Sequence, residues 1–275
     1  MGTLSGRVLF ITGASRGIGR AIALRCARDG ARVVLAAKSD RPHPKLPGTI
    51  HTVAEEVREA GGEALPLRLD VRDADAIEQA VATAAETFGG IDIVVNNAGY
   101  ISLTPIRETP VKRFDLMIAI NVRAAYALTR AALPWLEKSD HAHVLNMSPP
   151  ISLEPRWLAG HVAYTISKYG MSMLTLGLAE ELRDRRIAVN SLWPRTTIAT
   201  AAISVHFPKE IYERSRRPEI VADAAHALLV RDPATATGRT WLDEEILREE
   251  GVTDFSAYAL TPGAEPFPDL YIAPS

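Results

Sequence analysis

A single α/β domain built on a doubly wound parallel sheet is the fold the sequence predicts, and three observations predict it. Short apolar runs alternate with helix-like segments from the N-terminus to about residue 230. The runs are apolar along their length, as strands covered by helices on both faces must be. At 275 residues the chain is long enough to close one large core without a split. Right-handed crossovers then give the doubly wound arrangement, and ligands gather at the carboxyl ends of the strands.

Taken in order, Val8-Leu9-Phe10-Ile11 reads as a buried strand. A glycine turn and a helix over 17–29 follow it. Residues 33–37 form the second strand, and a helix over 51–60 stops at Gly61-Gly62, a C-terminal signal. Residues 64–69 form the third strand; Pro66 inside it calls for a strand start or a sheet edge. A helix over 73–88 ends at Gly89-Gly90 and leads to a strand at 91–95. A long helix over 111–133, a strand at 142–147, a helix over 161–183 and a strand at 187–193 complete the alternation.

Three stretches break the rhythm. Residues 38–50 are a proline-rich strand–helix loop, longer than the usual six residues or so, and therefore a functional candidate. Residues 196–217 suggest a lid. Residues 251–275, rich in proline and aromatics, suggest a tail packed over the surface of the domain.

Composition excludes several classes. Net charge is −2, with no basic excess to suggest nucleic acid. No uncharged apolar stretch approaches membrane-spanning length, and the first residues lack the pattern of a secretory signal. Cys26 is the only cysteine, so no intrachain disulfide can form. That fits a reducing, cytoplasmic setting, and its apolar surroundings predict a buried structural thiol.

The segment Thr12-Gly13-Ala14-Ser15-Arg16-Gly17-Ile18-Gly19 lies between the first strand and the first helix. Glycines let a backbone turn sharply and approach a pyrophosphate, and a helix N-terminus offers free amides to the anion. The segment reads as a phosphate cradle on a Rossmann-type sheet, its spacing different from the common Rossmann fingerprint, with Gly13, Ser15, Arg16, Gly17, Ile18 and Gly19 as cofactor-binding candidates.

The spacing Gly-x-x-x-Gly-x-Gly resembles that of the short-chain dehydrogenase/reductase family. Further matches follow in family order: Asp70-Val71, Asn96-Asn97-Ala98-Gly99, Asn121, Tyr164-x-x-x-Lys168 and Pro194. Within the family, residues 42–46, 146–150 and 163–165 resemble the hydroxysteroid dehydrogenase-like protein 2 branch, and bacterial citronellol/citronellal dehydrogenases are similar too. Members of that branch can carry a sterol-carrier domain, for which this chain is too short.

The resemblance implies a nicotinamide cofactor, bound by the glycine loop together with Asp70, Val71, Asn97, Ala98, Gly99, Tyr164, Lys168, Pro194 and Thr196. Asp70 would meet the adenine amine, and the backbone near Thr196 and Thr197 the carboxamide. Members that use NAD place an acid at the end of the second strand; here Ala37 stands there, followed by Lys38. Lys38 and Arg16 would attract a 2′-phosphate, so NADP is expected and NAD is the alternative.

Tyr164 and Lys168 lie one helical turn apart and share a face. A free tyrosine, with a pKa of about 10, is a poor base at neutral pH. An ammonium about 5 Å away would lower it by near two units at an effective dielectric of about 20. The resemblance makes Tyr164 the proton donor or acceptor, gives Lys168 a bond to the nicotinamide ribose, and has Asn121 hold a water linking Lys168 to solvent.

Two positions depart from the family. The serine usual thirteen residues before the tyrosine is displaced: aligned from Asn146 that place falls on Pro149, leaving Ser148 as the best hydroxyl and Ser152 second. Arg195 replaces the glycine usual after Pro194, and its side chain must point away, to solvent or to a substrate carboxylate or phosphate.

Other features carry less. His141 and His143 lack a third ligand and read as surface residues, and His161 reads as a helix-start residue, so no metal site is expected. Glu244-Glu245 and Glu249-Glu250 read as solvated faces. Trp157, Leu158, Trp193 and Phe207 are candidate apolar walls. The expected function is an NADP(H)-dependent oxidoreductase interconverting an alcohol with a ketone or aldehyde on an apolar terpenoid, fatty or steroid-like substrate. The competing class is a cofactor-binding sensor or scaffold with little turnover. A homo-dimer or homo-tetramer is expected by analogy with the family.

Overall fold

The computed structural model describes residues 3–44 and 46–272; Lys45 of the proline-rich loop lies outside the described residues. Seven parallel strands form one sheet in the order β3-β2-β1-β4-β5-β6-β7. They are β1 (Val8–Thr12), β2 (Arg32–Ala37), β3 (Glu63–Arg68), β4 (Ile93–Asn96), β5 (His143–Asn146), β6 (Ala188–Trp193) and β7 (Thr240–Leu242). Pairings such as Phe10↔Val34 and Phe10↔Val94 hold the central register. Pro66 sits in mid-strand, but β3 is the sheet edge. The amides of Glu63 and Leu69 donate toward β2, at Ala31 and Ala37, so a residue of even number turns its missing N–H to the free edge.

The helices are α1 (Gly17–Ala27), α2 (Ile50–Glu59), α3 (Ala74–Phe88), α4 (Val111–Met117), α5 (Ala124–Leu136), α6 (Pro155–Leu158), α7 (Val162–Glu181), α8 (Ala201–His206), α9 (Lys209–Glu213), α10 (Glu219–Leu229) and α11 (Asp243–Glu249). Period-2 alternation along the strands splits the core into two layers. Leu9, Ile11, Val33 and Leu35 face α1, α2 and α10. Phe10, Val34, Val94 and Val144 face α3, α5 and the end of α7.

The long helix expected over 111–133 is not uniform. Residues Ile118–Arg123 form a π-helical turn between α4 and α5, and Asn121 is buried within it. By length and composition the run Val111–Leu136 could cross a membrane, a possibility the sequence pattern had excluded. Its apolar stripe of Leu128, Ala132 and Leu136 is buried against the sheet, while Arg113, Arg123 and Arg130 interrupt the run.

Two expectations are corrected. His143 is a core residue: its Nε2 meets Arg231 O at 3.1 Å, and burial, with His141 beside it, pushes its pKa down to about 3. Glu244 is buried and holds Arg216, Arg248 at 2.6 Å and Arg195 at 3.5 Å. Glu249 and Glu250 stay exposed, as expected, and share Arg231 at 2.8 and 2.7 Å. Cys26 is fully buried, and desolvation raises its thiol to about 12.

Candidate active site

The strand order reverses between β1 and β4, and the site lies at their carboxyl ends, as open α/β sheets dictate. Thr12 ends β1. Its hydroxyl accepts the amides of Asn97 and Ala98 at 3.1 Å each, and Asn97 Nδ2 donates back to Thr12 O at 2.9 Å. Asn97 thereby clamps the glycine turn to the end of β4. Gly13 turns the chain at φ +69°, where an L side chain is strained, and a Cβ at Gly19 would lie 2.5 Å from Asn97 Nδ2.

Arg16 caps α1 without a side-chain bond, and the first turn of α1 carries no acid. Its free amides and positive end suit a phosphate. They open onto a groove of about 570 Å³ lined by Gly13, Ser15, Arg16, Gly17, Ile18, Lys38, Asp70, Val71, Asn97, Ala98 and Gly99, among others. Gly19 stays behind it, as a packing residue. The groove's size and donor set fit a dinucleotide.

The far end of the groove holds cations already engaged. Lys38 Nζ lies 3.2 Å from Asp70 Oδ2, and Arg72 grips the same carboxylate through two nitrogens. Those bonds hold Asp70 well below the usual carboxylate range. Arg16 bends toward the proline-rich loop, donating to Pro47 O at 2.9 Å and to Gly48 O and Ser39 Oγ at 3.1 Å. Ser39 lines the groove beside Lys38, which motif matching missed.

The groove runs into a second cavity of about 210 Å³, and the two share Ile18, Asn97, Gly99, Tyr100, Thr200 and Ala202. Tyr164 and Lys168, both on α7, line this second cavity with Trp193, Pro194, Ile203 and Phe207. Lys168 Nζ donates to Met147 O at 2.8 Å. A Cβ at Gly99 would lie 3.6 Å from Asn121 Oδ1 and 3.7 Å from Lys168 Nζ, so Gly99 leaves room between the two. Asn121 accepts the Tyr100 amide at 2.8 Å and donates to Tyr100 O and Ser167 Oγ.

The electrostatics differ from expectation. Burial pushes the Tyr164 phenol well above its ordinary value, with Tyr271 and Asp269 adding to the rise. Burial also lowers Lys168, to about 8, against a raising influence from Asp269. The ammonium makes no bond to the phenol; it is turned to the Met147 carbonyl. Near neutral pH both groups therefore keep their protons.

Ser148 is corrected. It has no exposed surface, its Oγ has no hydrogen-bond partner, and it is absent from the cavity wall that Met147 reaches. Ser152 sits away from the cavity lining as well, its carbonyl accepting Tyr169 Oη at 3.0 Å. The Arg195 side chain points away from the cavity, as expected, and its guanidinium turns to Glu244 and Glu245. The Thr197 amide donates to Phe267 O, and Thr196 is buried in a bridge to Pro268, so neither lines the cavity. Thr200, which no motif flagged, lines both cavities.

Trp193 and Phe207 are walls as expected, whereas Trp157 and Leu158 pack behind Tyr164 in an aromatic cluster. That cluster is centred on Tyr271, whose ring lies 5.2 Å from Tyr169, 6.0 Å from Trp193 and 6.1 Å from His161. The C-terminal segment is fastened there by Trp193 Nε1 donating to Leu270 O at 3.0 Å and by the Asp269 amide donating to Arg195 O. It delivers Asp269 and Leu270 to the cavity wall. The composition of residues 251–275 pointed to a packed tail but not to the cavity, because the contact is made across more than 70 residues. No group of three or more potential metal ligands occurs among the described residues.

Residues 7–208 match the short chain dehydrogenase family. Hydroxysteroid dehydrogenase-like protein 2 of Rattus norvegicus is 54% identical over 271 residues, 98% of this chain. The chain spans about half of that relative, 51% of its length. A short chain dehydrogenase of Mycobacterium thermoresistibile is 53% identical, with a TM-score of 0.93 over 98% of this chain and 96% of that one. A metagenomic short-chain oxidoreductase in complex with NADP is 31% identical, with a TM-score of 0.72 over 87% of this chain and 97% of that one. The fold, the order of the motifs and these likenesses agree: the chain belongs to the short-chain dehydrogenase family of oxidoreductases.

Proposed function

We propose that the protein is an NADP(H)-dependent oxidoreductase that interconverts an alcohol with a ketone or aldehyde on an apolar substrate. One observation carries the reading: the Tyr164–Lys168 pair lines a small, largely apolar cavity that opens into the glycine-loop groove. A nicotinamide dinucleotide, when bound, supplies or accepts the hydride. Tyr164 gives its phenolic proton to the carbonyl oxygen in reduction and takes it back in oxidation. Lys168 holds a positive charge beside it, and Asn121 keeps the Tyr100 loop in place below.

The apolar walls support a terpenoid, fatty or steroid-like skeleton. Lys38, Arg16 and Ser39 at the far end of the groove, with no acid at the end of β2, support NADP over NAD, as does the relative solved with NADP. A homo-dimer or homo-tetramer belongs to the same proposal, supported by exposed Tyr126 on α5 and Met173 and Leu176 on α7. So does a cytoplasmic setting, supported by the lone buried thiol.

The test is NADPH fluorescence on binding, followed by decanal reduction as a representative apolar aldehyde. Wild type should bind and turn over, while Tyr164→Phe should bind NADPH equally and lose at least a hundredfold in kcat. Binding without turnover across a panel of aldehydes and ketones would favour a sensor or scaffold.

A further inference from the structure

Asp269 is the one acid in the cavity wall among the described residues. It lines the cavity with Tyr164 and Lys168, placed there by the C-terminal segment. Its amide donates to Arg195 O at 3.0 Å, and its Oδ1 accepts the Leu270 amide at 2.6 Å. No cation lies within ion-pair distance among the described residues, so its charge is compensated only through space.

The groups that face it come from three elements. Lys168 and Tyr164 look across from α7, Tyr271 follows on its own segment, and Asp243 stands behind at the start of α11. Asp243 is itself set between Glu244 and Arg216, and the Arg195 guanidinium is turned to Glu244 and Glu245. Lys168 is the one cation coupled to Asp269, and Asp269 is the acid coupled to both members of the pair.

We propose that Asp269 is the counter-charge of the Tyr164–Lys168 pair, a positioning residue that holds the pair in its proton-donating form. The proposal rests on the assignment of Tyr164 and Lys168 as the proton-transfer pair. The logic is Coulombic. With phenol and ammonium both protonated the pair carries +1; after losing one proton it carries none. A nearby anion stabilises the charged form whichever group gives up the proton, so the first deprotonation moves to higher pH. Burial pushes Asp269 itself up to about 7, so it is charged above neutral pH, where the pair would otherwise lose its proton. The fold thus favours the protonated form that reduction needs, using a residue carried to the cavity by a segment that Tyr271, the Trp193–Leu270 bond and the Asp269 amide fasten in place.

The experiment is the pH profile of decanal reduction by NADPH in wild type, Asp269→Asn, Asp269→Glu and Glu265→Gln. Glu265 is an exposed acid on the same segment and serves as the control. The alkaline limb should move to lower pH by about one unit in Asp269→Asn, a tenfold change in proton affinity. It should return most of the way in Asp269→Glu and stay in place in Glu265→Gln. An unmoved limb in Asp269→Asn, or an equal move in Glu265→Gln, overturns the proposal. If wild type reduces no carbonyl compound, the functional reading fails, but the electrostatic one is still read by ultraviolet titration of tyrosinate. There, wild type is compared with Tyr164→Phe, each with and without Asp269→Asn. Phenolate from Tyr164 should appear at lower pH when Asp269 is replaced, and an unchanged titration overturns the proposal.

Discussion

Lys168 Nζ donates to the carbonyl oxygen of Met147 at 2.8 Å, joining the middle of α7 to the end of β5. The ammonium is buried, and this carbonyl is its strongest partner. Lys168→Met keeps much of the stem but leaves that carbonyl unpaired and removes the charge beside Tyr164. Reduction should fall at least a hundredfold in kcat, and NADPH binding should weaken less than kcat falls. Steady-state kinetics with fluorescence titration separates the two effects.

Ser148 is the hydroxyl the sequence offers in place of the family's usual serine, yet its Oγ is sealed off with no partner. A donor to the substrate oxygen is worth a hundredfold or more in rate. Ser148→Ala should change kcat by less than about threefold, far below that loss. It should leave stability the same or slightly higher, because an unpaired buried hydroxyl is removed. Kinetics and thermal unfolding check both halves.

Gly19 is packed so closely that a Cβ there would sit 2.5 Å from Asn97 Nδ2 and 2.7 Å from Gly13 O. Gly19→Ala must push apart the clamp that holds the turn to β4. NADPH affinity should fall more than about tenfold, and the melting temperature should drop by several degrees. Gly89, with open space around its Cβ position, is not a neutral control, because its φ of +86° favours glycine. Gly90 has open space at ordinary φ, and Gly90→Ala should leave NADPH binding unchanged.

Lys38 lies at the rim of the groove, bonded to Asp70. Lys38→Glu replaces that cation by an acid close to where a 2′-phosphate would sit. NADPH affinity should fall at least about tenfold while NADH affinity falls much less, since only the phosphate carries the extra charge. Equal losses for both cofactors would show that Lys38 acts only through the loop.

His143 is buried neutral, with a pKa lowered from 6.5 to about 3. The unfolded chain binds a proton here between those values and the folded one does not. Stability contributed by this residue is therefore intact above pH 6.5 and falls with acidification, by up to about 1.4 kcal/mol per pH unit, until pH 3. His143→Gln keeps an amide donor for Arg231 O and should flatten the unfolding free energy across that window. Denaturant titrations at successive pH values measure it.

Much of this protein was legible in the chain alone. Apolar strands, glycine stops and the proline in β3 determined the sheet and its edge, because burial on two faces and a missing N–H act locally. The glycine turn, Asn97 and the Tyr164–Lys168 spacing were legible for the same reason: one helical turn or one tight bend sets their geometry. Tertiary packing decided the rest. It sealed Ser148, buried His143 and Glu244, and set the Arg195 guanidinium against two acids. It also raised the Tyr164 phenol where sequence reasoning lowered it, since desolvation depends on what covers a group and not on its neighbours in the chain. Asp269 and Thr200 belong to no motif; they reach the cavity because a segment 105 residues after Tyr164 folds back over it and the chain beyond β6 roofs it.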